Sequence, residues 1–298
     1  ASAFTRPFTI DAGFSTQLGI NSIMTDLMAF SVYRGLDEGI KTLSNVNSVL
    51  ALSLVAFVFI VGPTQFIAEM SVTAVGNLVQ NFFTMLTSTD ALTDSDFVES
   101  WTVFYWAWWL ALGPFVGMFV CKISEGRTLR ELIFGMLFWG SAGCALFFMV
   151  LGNYALDTEL RGLHGVVDET LDVSPSAALA SLIERLPLGS FWLAFLAVIG
   201  IIFTATTYDS ASYTLAAGAS VRLAPGEHPA RWHRVFWAIA LGVLPACLLS
   251  LGGLKALQTA SVVASLPLLF VYLIMYIAII KTLREVTETQ PVPHSAGG

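Results

Sequence analysis

Charged side chains are scarce in this sequence. Only 12% of its 298 residues are Asp, Glu, Lys or Arg, about half the 25% usual in soluble domains. A soluble fold of this length must cover its surface with polar groups, and here there are too few. The 56% hydrophobic content and the mean hydropathy of +0.75 agree. Basic residues are outnumbered, 14 Lys+Arg against 21 Asp+Glu for a net charge of −7. They sit between apolar runs, so the net charge says little about partners and nothing points to nucleic acid. Cysteine is limited to Cys121, Cys144 and Cys247, which share no metal-ligand spacing and read as small apolar side chains. His164, His228, His233 and His294 fall in expected connections or the tail, too scattered for a catalytic or metal cluster. There is no P-loop, dinucleotide fingerprint or nucleophile elbow, so neither an enzyme nor a cofactor is expected. No charged region precedes an apolar stretch near Ala1, and no signal peptide is expected there.

Long apolar runs are what the sequence has instead. A hydrocarbon core about 30 Å thick needs about 20 mostly apolar helical residues. Six segments meet that demand, roughly 47–68, 101–121, 132–154, 191–217, 234–252 and 257–280. A seventh, 18–35, is interrupted by Asn21, Asp26 and Arg34. The expected fold class is therefore all-α integral membrane, with about seven transmembrane helices. Gly62-Pro63 is expected to kink its helix, as are Pro114, Pro245 and Pro267, because membrane helices tolerate proline where neighbours re-satisfy the backbone.

The connections alternate in charge. Arg34 and Lys41, then Lys122, Arg127 and Arg130, then Arg222, Arg231 and Arg234, and finally Lys281 and Arg284 mark basic sides. Between them lie Asp90, Asp94, Asp96 and Glu99, and later Asp157, Glu159, Asp168, Glu169 and Asp172. The positive-inside rule then puts 34–46, 122–131, 218–234 and the C-terminus in the cytoplasm. Two stretches outside the spans look helical. One is 69–86. The other starts at Ser174-Pro175, an N-cap followed by proline at the first helical position, and carries an apolar stripe of Ala178, Leu179, Leu182, Ile183 and Leu186 to its end near Leu186. It is expected to lie along the outer membrane surface. The tail 290–298 is expected to be disordered.

Two segments carry chemistry. In Trp101-Thr-Val-Phe-Tyr-Trp-Ala-Trp-Trp109, four of the chain's eight Trp fall in nine positions. Trp101, Tyr105, Trp108, Leu112, Phe115 and Phe119 form one helical stripe bordered by Trp106 and Trp109. An interfacial aromatic belt explains Trp101 and Tyr105. It explains Trp108 and Trp109 less well, about 10 Å deeper at 1.5 Å per residue. The other reading is an aromatic cage for a quaternary ammonium, which offers no N–H and must be held by ring quadrupoles. The second segment, Phe203-Thr-Ala-Thr-Thr-Tyr-Asp-Ser-Ala-Ser-Tyr213, sets three Thr, two Ser and Asp209 inside an apolar run. The hydroxyls either bond back to helix carbonyls and join helices or supply part of an oxygen shell for sodium. Asp209 must face a wet cavity, a partner or an ion.

The Trp run, followed by Gly113-Pro-Phe-Val-Gly-Met-Phe119 and Ile123-Ser-Glu-Gly-Arg-Thr-Leu-Arg-Glu131, resembles the signature of the betaine/choline/carnitine transporter family. Gly35-Leu-Asp-Glu-Gly-Ile-Lys-Thr-Leu-Ser44, Gly62-Pro-Thr64 and Leu251-Gly-Gly-Leu-Lys255 add to the likeness, which runs from about residue 30 to 285. The resemblance implies a LeuT-like fold of two inverted five-helix repeats, of which this chain looks like the C-terminal part. Segment 18–86 would hold the last two helices of the first repeat and a connecting amphipathic helix. Segment 101–281 would be the whole second repeat, with an extracytoplasmic connection at 155–190. Segment 1–17 is unassigned, and 282–298 would be a cytoplasmic tail.

The resemblance further implies secondary transport of betaine, choline or carnitine, with Trp109 in the central substrate box and Trp108 on the pathway. Tyr105, Phe115 and Phe119 join them as substrate-binding candidates. Thr206 and Thr207 match sodium-ligating hydroxyls, and Phe203 a carbonyl ligand, with sodium as the coupling ion. Asp209, Arg127 and Arg130 are assigned structural or gating roles. Family members are commonly trimers, here in a cell inner membrane. Leu112 replaces a frequent Trp and Glu125 a usual Arg. The competing readings are a sodium-independent exchanger of the same family, and a non-transporting fragment or scaffold, because the unwound glycine stretch and other half of the aromatic box belong to the family's first repeat.

Overall fold

The computed structural model describes residues 14–34, 37–91, 97–124, 126–221, 227–251 and 254–289. All regular structure among them is helical. Lipid offers no hydrogen bonds, so a long apolar run must satisfy its own backbone, and a helix does this within one segment. In chain order the helices are α1 (Phe14–Arg34), α2 (Asp37–Val61), α3 (Thr64–Thr87), α4 (Phe104–Ile123), α5 (Leu129–Phe147), α6 (Asn153–Leu160), α7 (Val166–Asp172), α8 (Pro175–Glu184), α9 (Gly189–Gly218), α10 (Arg231–Leu251) and α11 (Leu254–Thr289). Single wide turns of π-helix, Glu99–Val103 and Phe148–Gly152, lead into α4 and α6.

Five stretches are long and apolar enough to cross a membrane: Thr42–Val61, Glu99–Cys121, Leu129–Leu160, Gly189–Gly218 and Gln258–Glu285. The protein is a multi-pass membrane protein. The described parts of the segments 18–35 and 234–252 are helical too, within α1 and α10, but are not among these five. Gly252 and Gly253 of the Leu251–Lys255 stretch, Asp94, Asp96, Glu125, Arg222 and the tail 290–298 lie outside the described residues.

Three boundaries differ from expectation. The segment 47–68 is not one kinked helix, because α2 stops at Val61 and α3 starts at Thr64. Pro63 has no N–H to continue the ladder, and the Thr64 hydroxyl donates instead to the Phe59 carbonyl at 2.7 Å. A Cβ on Gly62 would stand 2.6 Å from the Val58 carbonyl, so the break needs glycine. The segment 132–154 extends to Leu160 through a wide turn, which brings the Asn153 amide to the Ser71 hydroxyl at 3.2 Å. Finally, α11 continues past residue 281 to Thr289, helped by Lys281 and Glu285 one turn apart at 3.9 Å.

Ser174 caps α8 as expected, its hydroxyl accepting from the Ala177 N–H at 3.1 Å with Pro175 next in line. Ala178, Leu182, Ile183 and Leu186 of the expected stripe are buried, and Leu179 is exposed. Of these, Ile183 and Leu186 join a core of Leu54, Val55, Val58, Ile67 and Val150, flanked by Phe57 and Trp192 with ring centroids 4.1 Å apart. This core fixes α8 and the start of α9 against α2.

Close helix approaches occur beside two prolines. Pro114 cannot donate to the Leu110 carbonyl one turn before it, and the Tyr272 hydroxyl of α11 donates to that carbonyl at 3.1 Å. Gly113 makes the room, since a Cβ there would overlap the Tyr272 hydroxyl. Near Pro245, the Asn21 amide of α1 donates to the Gly242 carbonyl of α10 at 3.1 Å. A Cβ on Gly242 would collide with Thr25.

Candidate functional site

Three helices each turn one stripe towards a cavity of about 360 Å3. From α9 come Phe203, Thr206, Thr207 and Ser210, spaced three and four residues apart on one face. From α4 come Phe115, Val116 and Phe119, and from α2 come Ser44, Asn47 and Ser48. The structure thus brings all three ion-site candidates together with two of the five aromatic candidates. The Thr206 hydroxyl donates to the Ile202 and Phe203 carbonyls at 3.0 and 3.1 Å, and the Ser210 hydroxyl to the Thr206 carbonyl at 2.9 Å. Back-bonding to the helix is therefore real at Thr206. The Thr207 hydroxyl makes no hydrogen bond among the described residues.

The remaining aromatic candidates lie elsewhere. Tyr105 and Trp109 line an open groove of about 460 Å3 with Trp101 and Trp106, and Trp101 stacks on Tyr105 at 6.0 Å between centroids. Trp108 lines neither space; its ring meets Phe104 edge-on at 5.2 Å. The expected stripe from Trp101 to Phe119 is thus not one box in this chain. The reason is axial: Trp109 and Phe115 are six residues apart, about 9 Å along the helix, and only the far end of the stripe meets α9. Trp106, expected to border the stripe, shares the groove with Trp109.

Asp209 points away from the cavity face and is only 5% exposed. Its Oδ1 lies 3.6 Å from an Arg234 guanidinium nitrogen of α10, and Arg234 is 4% exposed. The guanidinium also sits over the Tyr213 ring, 5.1 Å from its centroid, and the Tyr213 hydroxyl and His228 Nδ1 are hydrogen-bonded at 2.9 Å. Arg234 is thus a buried partner rather than the solvent-facing loop charge expected. An ionisable residue at membrane depth demands a partner, and that demand on Asp209 was the available signal. Arg127 precedes α5 and Arg130 lies in its first turn, both exposed. The same turn holds a reciprocal cap, in which the Thr128 N–H donates to Glu131 Oε2 at 3.0 Å and the Glu131 N–H to the Thr128 hydroxyl at 3.3 Å.

Residues 1–288 match the family described as BCCT, betaine/carnitine/choline family transporter. The chain belongs to that family. It is 32% identical over 273 residues to the carnitine transporter of Acinetobacter baumannii, covering 91% of this chain and 50% of that protein. It is 32% identical over 278 residues to the high-affinity choline transport protein of Escherichia coli K12, covering 93% and 41%. It is 34% identical over 290 residues to the glycine betaine transporter OpuD of Bacillus subtilis, covering 95% and 55%. The chain spans about half the length of these relatives. Members of this family are transporters, not enzymes.

Proposed function

We infer that the protein is a sodium-coupled secondary transporter of a trimethylammonium compound: glycine betaine, choline or carnitine. The observation that carries this reading is the α2–α4–α9 cavity, in which Phe115 and Phe119 face the same space as Thr206 and Thr207. Aromatic faces attract a cation that has no N–H to donate, and hydroxyl and carbonyl oxygens suit a hard alkali ion. Relatives named for carnitine, choline and glycine betaine support the cargo class. In this reading 101–281 is the second repeat of a LeuT-like fold, and 18–86 supplies the last two helices of the first. The assembly is a trimer in a cell inner membrane with the C-terminus in the cytoplasm. Trp109, Tyr105 and Trp108 serve the cargo's route.

A sodium-independent exchanger is the second reading, favoured by the Thr206 hydroxyl bonding to its own helix. Uptake of labelled betaine, choline and carnitine by the product of the complete reading frame, with and without sodium, separates the two. Sodium-dependent uptake whose half-saturating sodium rises in Thr207→Ala supports symport. Uptake indifferent to sodium selects exchange, and no uptake of any of the three rejects the cargo class.

A further inference from the structure

We propose that Asn47 of α2 is a cation-contacting residue of the α2–α4–α9 cavity, a role that rests on reading this cavity as the transport site. Asn47 lines the cavity yet is only 7% exposed, and its Oδ1 is buried without a hydrogen-bond partner. Burying such an oxygen is unfavourable unless something satisfies it, and native structures rarely leave one orphaned. The neighbouring hydroxyls do not serve. Ser48 donates to the Ser44 carbonyl at 3.0 Å, Thr206 to the Ile202 carbonyl and Ser210 to the Thr206 carbonyl. With their protons committed to helix carbonyls, these hydroxyls can present only lone pairs to an occupant.

The cavity thus offers acceptor oxygens, the rings of Phe115 and Phe119 and the uncommitted hydroxyls of Ser44 and Thr207, with no Asp, Glu, Lys or Arg among its described lining residues. Acceptor oxygens and π faces both attract positive charge. An amide oxygen gives a cation a strong dipole without the desolvation cost of a carboxylate. A monovalent cation satisfies Asn47 Oδ1, and it is either the inorganic ion or the ammonium head of the cargo. Asn47 and Thr207 line the cavity from different helices, so the occupant bridges α2 and α9.

The test is equilibrium binding of radiolabelled sodium and of radiolabelled tetramethylammonium to the purified protein from the complete reading frame. Two near-isosteric variants are compared with it. Asn47→Leu removes the oxygen and should weaken binding of one cation about tenfold or more. Asn47→Asp adds charge at the same position and should bind that cation more tightly than the wild type. Loss confined to sodium assigns the inorganic ion, and loss confined to tetramethylammonium assigns the cargo head. Wild-type affinity for both cations in Asn47→Leu overturns the proposal, as does failure of the wild type to bind either. If Asn47→Leu does not fold, unchanged or weaker binding of both cations in Asn47→Asp overturns it. Cation binding lost in Asn47→Leu without uptake of any trimethylammonium compound by the wild type would instead sink the transport reading alone.

Discussion

Replacing Gly113 with alanine tests the contact between α4 and α11. A Cβ there would overlap the Tyr272 hydroxyl and stand 2.9 Å from Cζ, whereas non-bonded carbons rest about 3.5–4.0 Å apart. The ring must withdraw, and its 3.1 Å bond to the Leu110 carbonyl goes with it. Overpacking costs about 1–3 kcal/mol, and a carbonyl stranded beside Pro114 costs about 1–3 kcal/mol more. Alanine's better helix propensity returns about 1 kcal/mol. The net loss should be about 3 kcal/mol. Tyr272→Leu also loses stability, through the vanished bond and a cavity. In that background, however, Gly113→Ala should be neutral or stabilising, because the obstacle is gone and the propensity gain remains. Unfolding in mixed micelles of the wild type, both single variants and the double variant measures this change of sign. Costs that add to within about 0.5 kcal/mol would mean that the two sites are independent, and would refute the account of α4–α11 packing.

Four further outcomes are open to measurement. Trp109→Ala should weaken trimethylammonium binding by about 2 kcal/mol, roughly thirtyfold, and calorimetry showing normal affinity would remove Trp109 from the cargo's route. Trp106→Ala should also weaken it, by less, since Trp106 lines the same groove; the same titration checks it. Arg234→Ala should destabilise by about 3–5 kcal/mol by leaving Asp209 buried opposite an apolar side chain, and Asp209→Asn should recover part of that loss in the double variant, read from thermal inactivation. Single cysteines at Asp90 and Lys281 on a cysteine-free background should label from opposite sides of the membrane, and labelling from one side would undo the charge-based topology.

Much of this architecture was legible because its causes are local. Apolar length dictates the helices, Ser174-Pro175 dictates the start of α8, and the Trp run with its following Gly-Pro marks the family. The roles expected of Phe115, Phe119, Thr206 and Thr207 came from resemblance rather than spacing, and their meeting in one cavity was not legible at all, because the two pairs lie far apart in the chain on different helices. What stayed hidden was pairwise and distant. Tyr272 is one more aromatic in an apolar run until it is seen against Gly113 and the carbonyl freed by Pro114. Asn47 sits at the edge of an expected span, where a polar residue attracts no notice, and only the stripes of α4 and α9 give it a role. Arg234 looked like loop charge because helix boundaries are uncertain by a few residues, and those few residues separate solvent from a buried partner.

The Asp209–Arg234 pair has a consequence for how the protein is made. A helix that presents an aspartate to lipid is resisted by up to about 2.5–3.5 kcal/mol during insertion, and one that presents an arginine by a similar amount. Here the two charges sit on consecutive helices, and each hides the other. During synthesis the pair cannot form until the ribosome has delivered α10, so α9 carries an unpartnered aspartate until then. A substitution that spoils this pair would show itself at birth, as a nascent chain sent to proteolysis before any question of transport arises.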